Sequence, residues 1–242
     1  MKKDVTIGNT SAYHSYPDDG KKHPGLIIIE EIWGMNDHMK SVADRFAQQG
    51  YSVLAPELLP HDLLAMLTPE LQVALFDPKL RDEVQPKMRA AMAPITQPEY
   101  SKGALVELKQ CVDYLIADEH VNGQVGVLGF CFGGSYSFHL AASDSRIKAA
   151  VPFYGHAPTP EEISTISCPA LAFYGDQDAG LMESLPGLKE EMEKNHKEFE
   201  AVVYPGAGHA FFNDTNARMY NAPAAKDAWE KTLAFLTKNL TT

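Results

Sequence analysis

Cysteine is scarce in this chain: Cys111, Cys131 and Cys168 are the 3 in 242 residues, an odd count with no paired spacing. That argues against a disulfide framework and for a reducing compartment. Positive charge is short too. Lys and Arg total 21 against 32 Asp and Glu, a net charge of −11, which disfavours nucleic acid and anionic membrane surfaces as partners. No apolar run approaches membrane-spanning length. Residues 1–9 carry two lysines but no apolar stretch, so no secretory signal is expected and a cytoplasmic location is. Internal repeats and low-complexity segments are absent as well. Apolar residues, in contrast, make up 45% of the chain, enough for the core of one large α/β domain or two small ones.

Six runs read as strands: 26–29, 51–55, 124–130, 147–154, 170–174 and 198–204. The first is β-branched and follows Pro24-Gly25, as suits a strand buried on both faces. Two short edge strands, 5–7 and 11–16, flank Gly8-Asn9. Helices are expected over 39–49, capped by Asn36 or Asp37, and over 99–117, 185–195 and 224–239. Strands alternating with helices imply a mostly parallel sheet covered on both faces. Residues 57–97 break the pattern, with dense leucine and methionine, recurrent proline and no legible strand. We read them as a helical insertion over one face of a single domain, 1–242, rather than as a second domain.

The sequence 126–134 is Gly-Val-Leu-Gly-Phe-Cys-Phe-Gly-Gly. A strand-like run ends in Gly129-x-Cys131-x-Gly133, and a helix-like run, 135–142, follows. Strand, tight turn and helix with a nucleophile at the turn is the setting of a nucleophile elbow. Gly129 and Gly133 belong where a Cβ would collide between strand and helix. The Phe132 amide would open the helix and could donate to an oxyanion. Taken alone, the motif equally fits a small buried cysteine in a Gly-rich turn.

Ligands and reacting groups of such sheets gather beyond the C-terminal strand ends. Cys131, Asp178 and His209 fall there in the order nucleophile, acid, histidine. His209 would move the thiol proton and later protonate the leaving group, and Asp178 would orient the imidazole. Each has a plain alternative: Asp178 as a turn or cap residue, His209 as a surface residue. Asp176 is assigned to the turn. Cys111 lies at helical spacing among Val106, Leu108, Val112 and Leu115 and reads as core, Cys168 as structural, and His139 as a helix residue. His156 ends a strand and is a candidate for the pocket lining.

Gly129-Phe130-Cys131-Phe132-Gly133-Gly134, with Glu31-Ile32-Trp33-Gly34-Met35-Asn36 upstream and Asp178 and Ala207-Gly208-His209-Ala210-Phe211 downstream, resembles the dienelactone hydrolase (carboxymethylenebutenolidase) family over about residues 24–240. The resemblance implies an α/β-hydrolase fold with the insertion over the active-site face. It implies a carboxylic ester or lactone hydrolase working through a thioester, with a Cys131, Asp178 and His209 triad and with no metal or other cofactor. It implies that Glu31 accepts the resting thiol's proton or holds it away until substrate binds, so Glu31 and His209 should compete for that proton. Glu30 is the competing carboxylate. The implied oxyanion hole is the amides of Ile32 and Phe132.

The chain also departs from the family pattern. An arginine expected four residues past the histidine is Asn213 here. Asn213, His156 and Trp33 are the candidate substrate contacts, with Arg81 and Arg89 of the insertion as candidate carboxylate binders. Leu63, Leu64, Met66, Leu67, Phe76, Met88 and Met92 are expected to wall an apolar pocket that prefers neutral or apolar esters to small anionic lactones. The expected partner is a small ester or lactone, on a monomer or homodimer. Two other readings compete: a ligand-binding hydrolase fold without turnover, and a redox-sensing protein with Cys131 as its reactive thiol. A binder has no use for a base and its orienter, and no second cysteine is placed in sequence to resolve an oxidised Cys131.

Overall fold

The computed structural model describes residues 1–75, 77 and 79–241. Among them eight strands form one sheet in the order β1-β2-β4-β3-β5-β6-β7-β8. β1 (Lys2–Ile7) and β2 (Thr10–Ser15) make the expected edge hairpin, and β2 runs antiparallel to β4 (Ser52–Pro56). All remaining pairings are parallel: β4 with β3 (His23–Ile29), then β5 (Val121–Phe130), β6 (Ile147–Phe153), β7 (Ala170–Gly175) and β8 (Phe199–Tyr204).

Leu26 to Ile29 and Val127, Leu128 and Phe130 are fully buried, because β3 and β5 pair at the sheet centre and helices cover both faces. Added Cβ atoms show the two layers. At Gly25 one would meet Leu115 of α5 (Pro98–Ala117); at Gly126 one would meet Leu236 and Leu240 of α9 (Ala222–Leu240). Gly25 pairs with Val125, and successive residues of a strand point to opposite faces. α1 (Asp37–Gln48) joins α9 through Phe46 and Trp229, whose rings lie 4.4 Å apart. Toward the C-terminal strand ends, Phe130, Phe153 and Phe173 stack across three strands at 4.7 and 4.8 Å. Phe130 of this ladder directly precedes Cys131.

Segment 57–97 contains α2 (His61–Met66), α3 (Pro69–Leu75), α4 (Arg81–Met92) and a 3-10 turn (Ala93–Thr96). Leu59, Leu63, Leu67, Met88, Ala91 and Ile95 bury themselves in a small core of their own. That corrects the pocket-wall expectation. Leu63, Leu67 and Met88 are held in this second core, Leu64 and Met92 pack against it, and Met66 is 53% exposed. A segment of short helices has to bury its own apolar faces first. Phe76 lies outside the described residues.

Two helices differ from the sequence reading. α7 (Pro160–Thr165) was not anticipated, although its capping box is legible: Thr159 Oγ1 accepts from the Glu162 amide and Glu162 Oε2 from the Thr159 amide. α8 (Ala179–Lys194) starts six residues earlier than 185, so Pro186 sits in its middle instead of in its first turn. A proline removes a single intrahelical donor, and a packed helix absorbs that loss.

Candidate active site

Cys131 stands between β5 and α6 (Phe132–Ser143) at φ 55° and ψ −111°, a region that side-chain-bearing residues rarely occupy. Surrounding contacts fix that conformation. The Cys131 amide donates to Phe153 O (3.0 Å), the Gly133 amide to Glu30 O (3.0 Å) and the Ser135 amide to Cys131 O (3.1 Å). A Cβ on Gly129 would lie 2.2 Å from Gly133 O, and one on Gly133 2.2 Å from Ile29 O. The strand and helix therefore meet only because both positions are glycine. Cys131 is half-buried, and the Phe132 amide opens α6, where first-turn N–H groups lack intrahelical partners.

Asp178 precedes α8 and His209 follows β8. The two loops close on each other: the Gln177 amide donates to Ala207 O (2.9 Å), and a Cβ on Gly175 would lie 2.3 Å from that same oxygen. His209 Nδ1 and Asp178 Oδ2 lie 2.5 Å apart. Burial works to raise the Asp178 carboxyl, but the hydrogen bond and charge of His209 outweigh it and hold the carboxyl below its ordinary value. Burial likewise works to lower His209. The negative charge of Cys131 and the hydrogen bonds with Asp178 and Cys131 overcome this and carry the imidazole well above its usual value. The ring thus sits between the Asp178 carboxylate and the Cys131 sulfur, both of which favour its protonated form.

Glu31 leaves the end of β3 and is buried. Its Oε1 accepts from the Tyr154 hydroxyl (3.0 Å) and its Oε2 from Asn213 Nδ2 (2.9 Å). Asn213, expected as a substrate contact, is itself buried, and its Oδ1 accepts from Thr215. Tyr154 was missed in the sequence. It follows β6 at φ 38°, fully buried, with its ring 5.0 Å from that of His209. Its only sequence signal is a strand-end position beside His156. Glu30 turns elsewhere: its Oε1 accepts from the amides of Leu58 (2.8 Å) and Leu59 (2.9 Å) at the base of segment 57–97.

A cleft of about 630 Å³ brings Cys131, Asp178, His209 and Glu31 together, bordered by Ile32, Trp33, Leu75, Met219 and Arg81. Leu75 and Met219 were not foreseen. Arg81, at the start of α4, reaches the cleft, while Arg89 lies exposed farther along the helix and is not part of its lining. His156 is exposed and outside the lining. Its amide donates to Ser135 Oγ (2.9 Å), and its charge helps to lower Asp178.

The model of the dienelactone hydrolase family matches residues 10–240. The chain belongs to that family. A protein of Saccharolobus solfataricus named "Putative carboxymethylenebutenolidase" is 32% identical over 241 residues, covering 93% of this chain and 92% of its own. A protein of the same name from Synechocystis is 31% identical, covering 94% and 92%. Among solved structures, one titled "Putative Dienelactone Hydrolase" from Klebsiella pneumoniae superposes with a TM-score of 0.82 at 24% identity, covering 98% of both chains. The dienelactone hydrolase of Anabaena variabilis superposes at 0.67 and 17% identity, covering 99% and 97%. These structures share the α/β-hydrolase fold with this chain. Family membership makes the protein a dienelactone hydrolase-like hydrolase. Among the described residues, no helix is long and apolar enough to cross a membrane.

Proposed function

We propose that the protein cleaves a carboxylic ester or lactone through a thioester at Cys131. The observation that carries this reading is the elbow cysteine sharing one cleft with His209, whose Nδ1 lies 2.5 Å from Asp178 Oδ2. The Cys131 thiolate attacks the carbonyl carbon, and the amides of Ile32 and Phe132 receive the oxyanion. His209 protonates the departing alkoxide as the acyl–oxygen bond breaks. The neutral imidazole then takes a proton from water, whose oxygen attacks the thioester. Collapse expels the thiolate, releases the acid and leaves His209 protonated, so the resting pair returns. In this reading the chain is one domain, 1–242, with segment 57–97 as an insertion that supplies Leu75 and Arg81 to the cleft.

Within that class we favour a neutral or apolar substrate. Ile32, Trp33, Leu75 and Met219 offer apolar surface, Arg81 is the one Lys or Arg among the described lining residues, and the whole chain carries −11. A single panel tests both parts. Lactones, enol esters and p-nitrophenyl esters, dienelactone and a neutral lactone of similar size among them, are compared on wild type and Cys131→Ala. The Ala variant should fold and lose turnover. Turnover within about tenfold of wild type, a barrier change of about 1.4 kcal/mol, removes Cys131 as nucleophile. A clear preference for dienelactone that weakens with salt assigns the substrate to Arg81 and overturns the neutral preference.

A further inference from the structure

We propose that Gly180 determines which esters the cleft takes: the first turn of α8 leaves room beside His209 for a bulky, apolar alcohol group, so the alcohol side of the substrate is the large one. The inference rests on the hydrolase reading of Cys131 and His209 and names the substrate class within it.

The strand order gives the cleft a direction. Across the sheet the order is β3-β5-β6-β7-β8, and Cys131 follows β5. Ile32 and Trp33 follow β3, on one side of the elbow; Asp178, Ala179 and Gly180 follow β7, on the other. Three strand spacings, about 15 Å, separate the two sides. The β3 side is bulky, because Ile32 and Trp33 pack with Leu75 against the small core of segment 57–97. The β7 side is bare. Ala179 brings one methyl group and Gly180 no side chain, and the Gln177 side chain is turned to Asp176 (Nε2 to Oδ1, 2.8 Å).

The group that protonates a leaving oxygen has to stand next to it. His209 has Nδ1 committed to Asp178, which leaves its other nitrogen for Cys131 and the reacting ester. The alcohol therefore departs on the side of β7 and β8, toward the residues that follow Asp178. Gly180 is exposed there, and a Cβ built on it would meet no atom within 4 Å. Gly129, Gly133 and Gly175 differ, since a Cβ on any of them would strike backbone. Their missing side chains serve the fold, whereas the space at Gly180 belongs to the cleft. Met219 bounds it from the loop after β8: its Cε lies 3.3 Å from where a Gly208 Cβ would be, and a flexible thioether adapts to apolar groups of different shape. In a lactone the corresponding group is a substituent on the ring carbon that bears the alcohol oxygen.

α8 also supplies a matched control. Its buried face is Leu181, Leu185, Leu188 and Met192, which turns Gly180 away from the core. Gly187 is seven residues farther on, two turns along the same stripe, equally open and outside the cleft lining.

The experiment compares wild type, Gly180→Ala, Gly180→Leu, Gly187→Leu and Cys131→Ala on two ester series. One holds the acyl group as acetate and enlarges the alcohol from ethanol through phenol to 2-naphthol. The other holds phenol and lengthens the acyl chain from acetate to hexanoate. Each kcat/KM is divided by the wild-type value for the same ester, so the intrinsic reactivity of the leaving group cancels. Gly180→Leu should lose about tenfold to hundredfold on 2-naphthyl acetate, less on phenyl acetate and least on ethyl acetate, with a loss that does not grow along the acyl series. Gly180→Ala should show a smaller loss in the same order, and Gly187→Leu should match wild type throughout. The inference is overturned if Gly180→Leu loses equally on every ester, which would mean that the start of α8 acts on the triad and not on room, if its loss follows the acyl chain instead, or if it loses nothing. Cys131→Ala separates this from the hydrolase reading. Turnover that survives in Cys131→Ala, or is missing from wild type, overturns that reading and this inference with it; turnover that depends on Cys131 together with an ungraded Gly180→Leu profile overturns this inference alone.

Discussion

Glu30→Gln isolates the other carboxylate of this loop, and its effect follows from burial. Glu30 is fully buried. Its Oε1 accepts from two amides, and its Oε2 has no partner among the described residues. Burial pushes the carboxyl up to about 8 from an ordinary 4.5; the two amides pull it back by less, and the charge of Glu57 adds to the rise. The folded protein therefore keeps the proton up to about pH 8, whereas the unfolded chain releases it near 4.5. Its stabilising contribution is complete below pH 4.5, is lost as pH rises toward 8, and is constant above that. At about 1.36 kcal/mol per pH unit the loss approaches about 5 kcal/mol, and local relaxation or water entry would bring it down to about 2–3. Gln keeps the acceptor for Leu58 and Leu59 and cannot ionise. Urea unfolding of wild type and Glu30→Gln at about pH 5, 7 and 9 gives the difference curve, in which other titrating groups cancel. The variant should gain steadily on wild type with pH, by about 2–5 kcal/mol at the alkaline end. Parallel curves would refute the argument, because they would mean that Glu30 is ionised in the folded protein at neutral pH.

His14 gives the opposite limb. Burial, with its Nε2 at 2.9 Å from Ser52 Oγ, lowers the imidazole to about 4, so its contribution is whole above pH 6.5 and is lost as pH falls through 4, by about 3 kcal/mol in all. The unfolding difference curve between wild type and His14→Gln should bend only in that window. Gly133→Ala should cost about 3 kcal/mol or more, or prevent folding, since its Cβ would lie 2.2 Å from Ile29 O and 2.7 Å from Glu30 O, both backbone atoms. Gly187→Ala, exposed inside α8 with nothing within 4 Å, should be neutral or stabilise by up to about 1 kcal/mol; urea unfolding of both glycine variants measures the two effects.

The strands and the elbow were legible because their residues leave few options. A run such as Leu26 to Ile29, or Val125 to Phe130 closing on Gly-x-Cys-x-Gly, suits only a buried strand and a crowded turn. Cys131, Asp178 and His209 could be picked out by strand-end position, which parallel order converts into proximity. The environment of Glu31 could not. Tyr154 and Asn213 lie 123 and 182 residues away from it in the chain, and their meeting depends on the register of β3, β6 and the loop after β8. The pocket wall expected of segment 57–97 was misread for another reason. Density of leucine and methionine shows that a segment must bury something, but not which face it buries. Most of those side chains were spent on the segment's own core, and among its described residues only Leu75 and Arg81 line the cleft.

Two successive acids leaving β3 thus have separate tasks, and the sheet's geometry explains why. Adjacent residues in extended backbone send their side chains in opposite directions. Glu31 turns toward Tyr154 and Asn213, at the far strand ends, and Glu30 toward the amides of Leu58 and Leu59. Between them the Glu30 carbonyl takes the Gly133 amide of the elbow. One short segment therefore ties the elbow, the candidate proton-handling residues and the base of the insertion to each other. The difference between the two acids lies in their donors. Glu31 has a side-chain donor on each oxygen, whereas Glu30 has both of its donors on one oxygen and none on the other, so burial keeps Glu30 neutral. A loop with both acids ionised would put two negative charges beside the elbow with no cation paired to either. Glu30 thus serves the base of the insertion, and Glu31 is the acid of this loop that borders the cleft of Cys131 and His209.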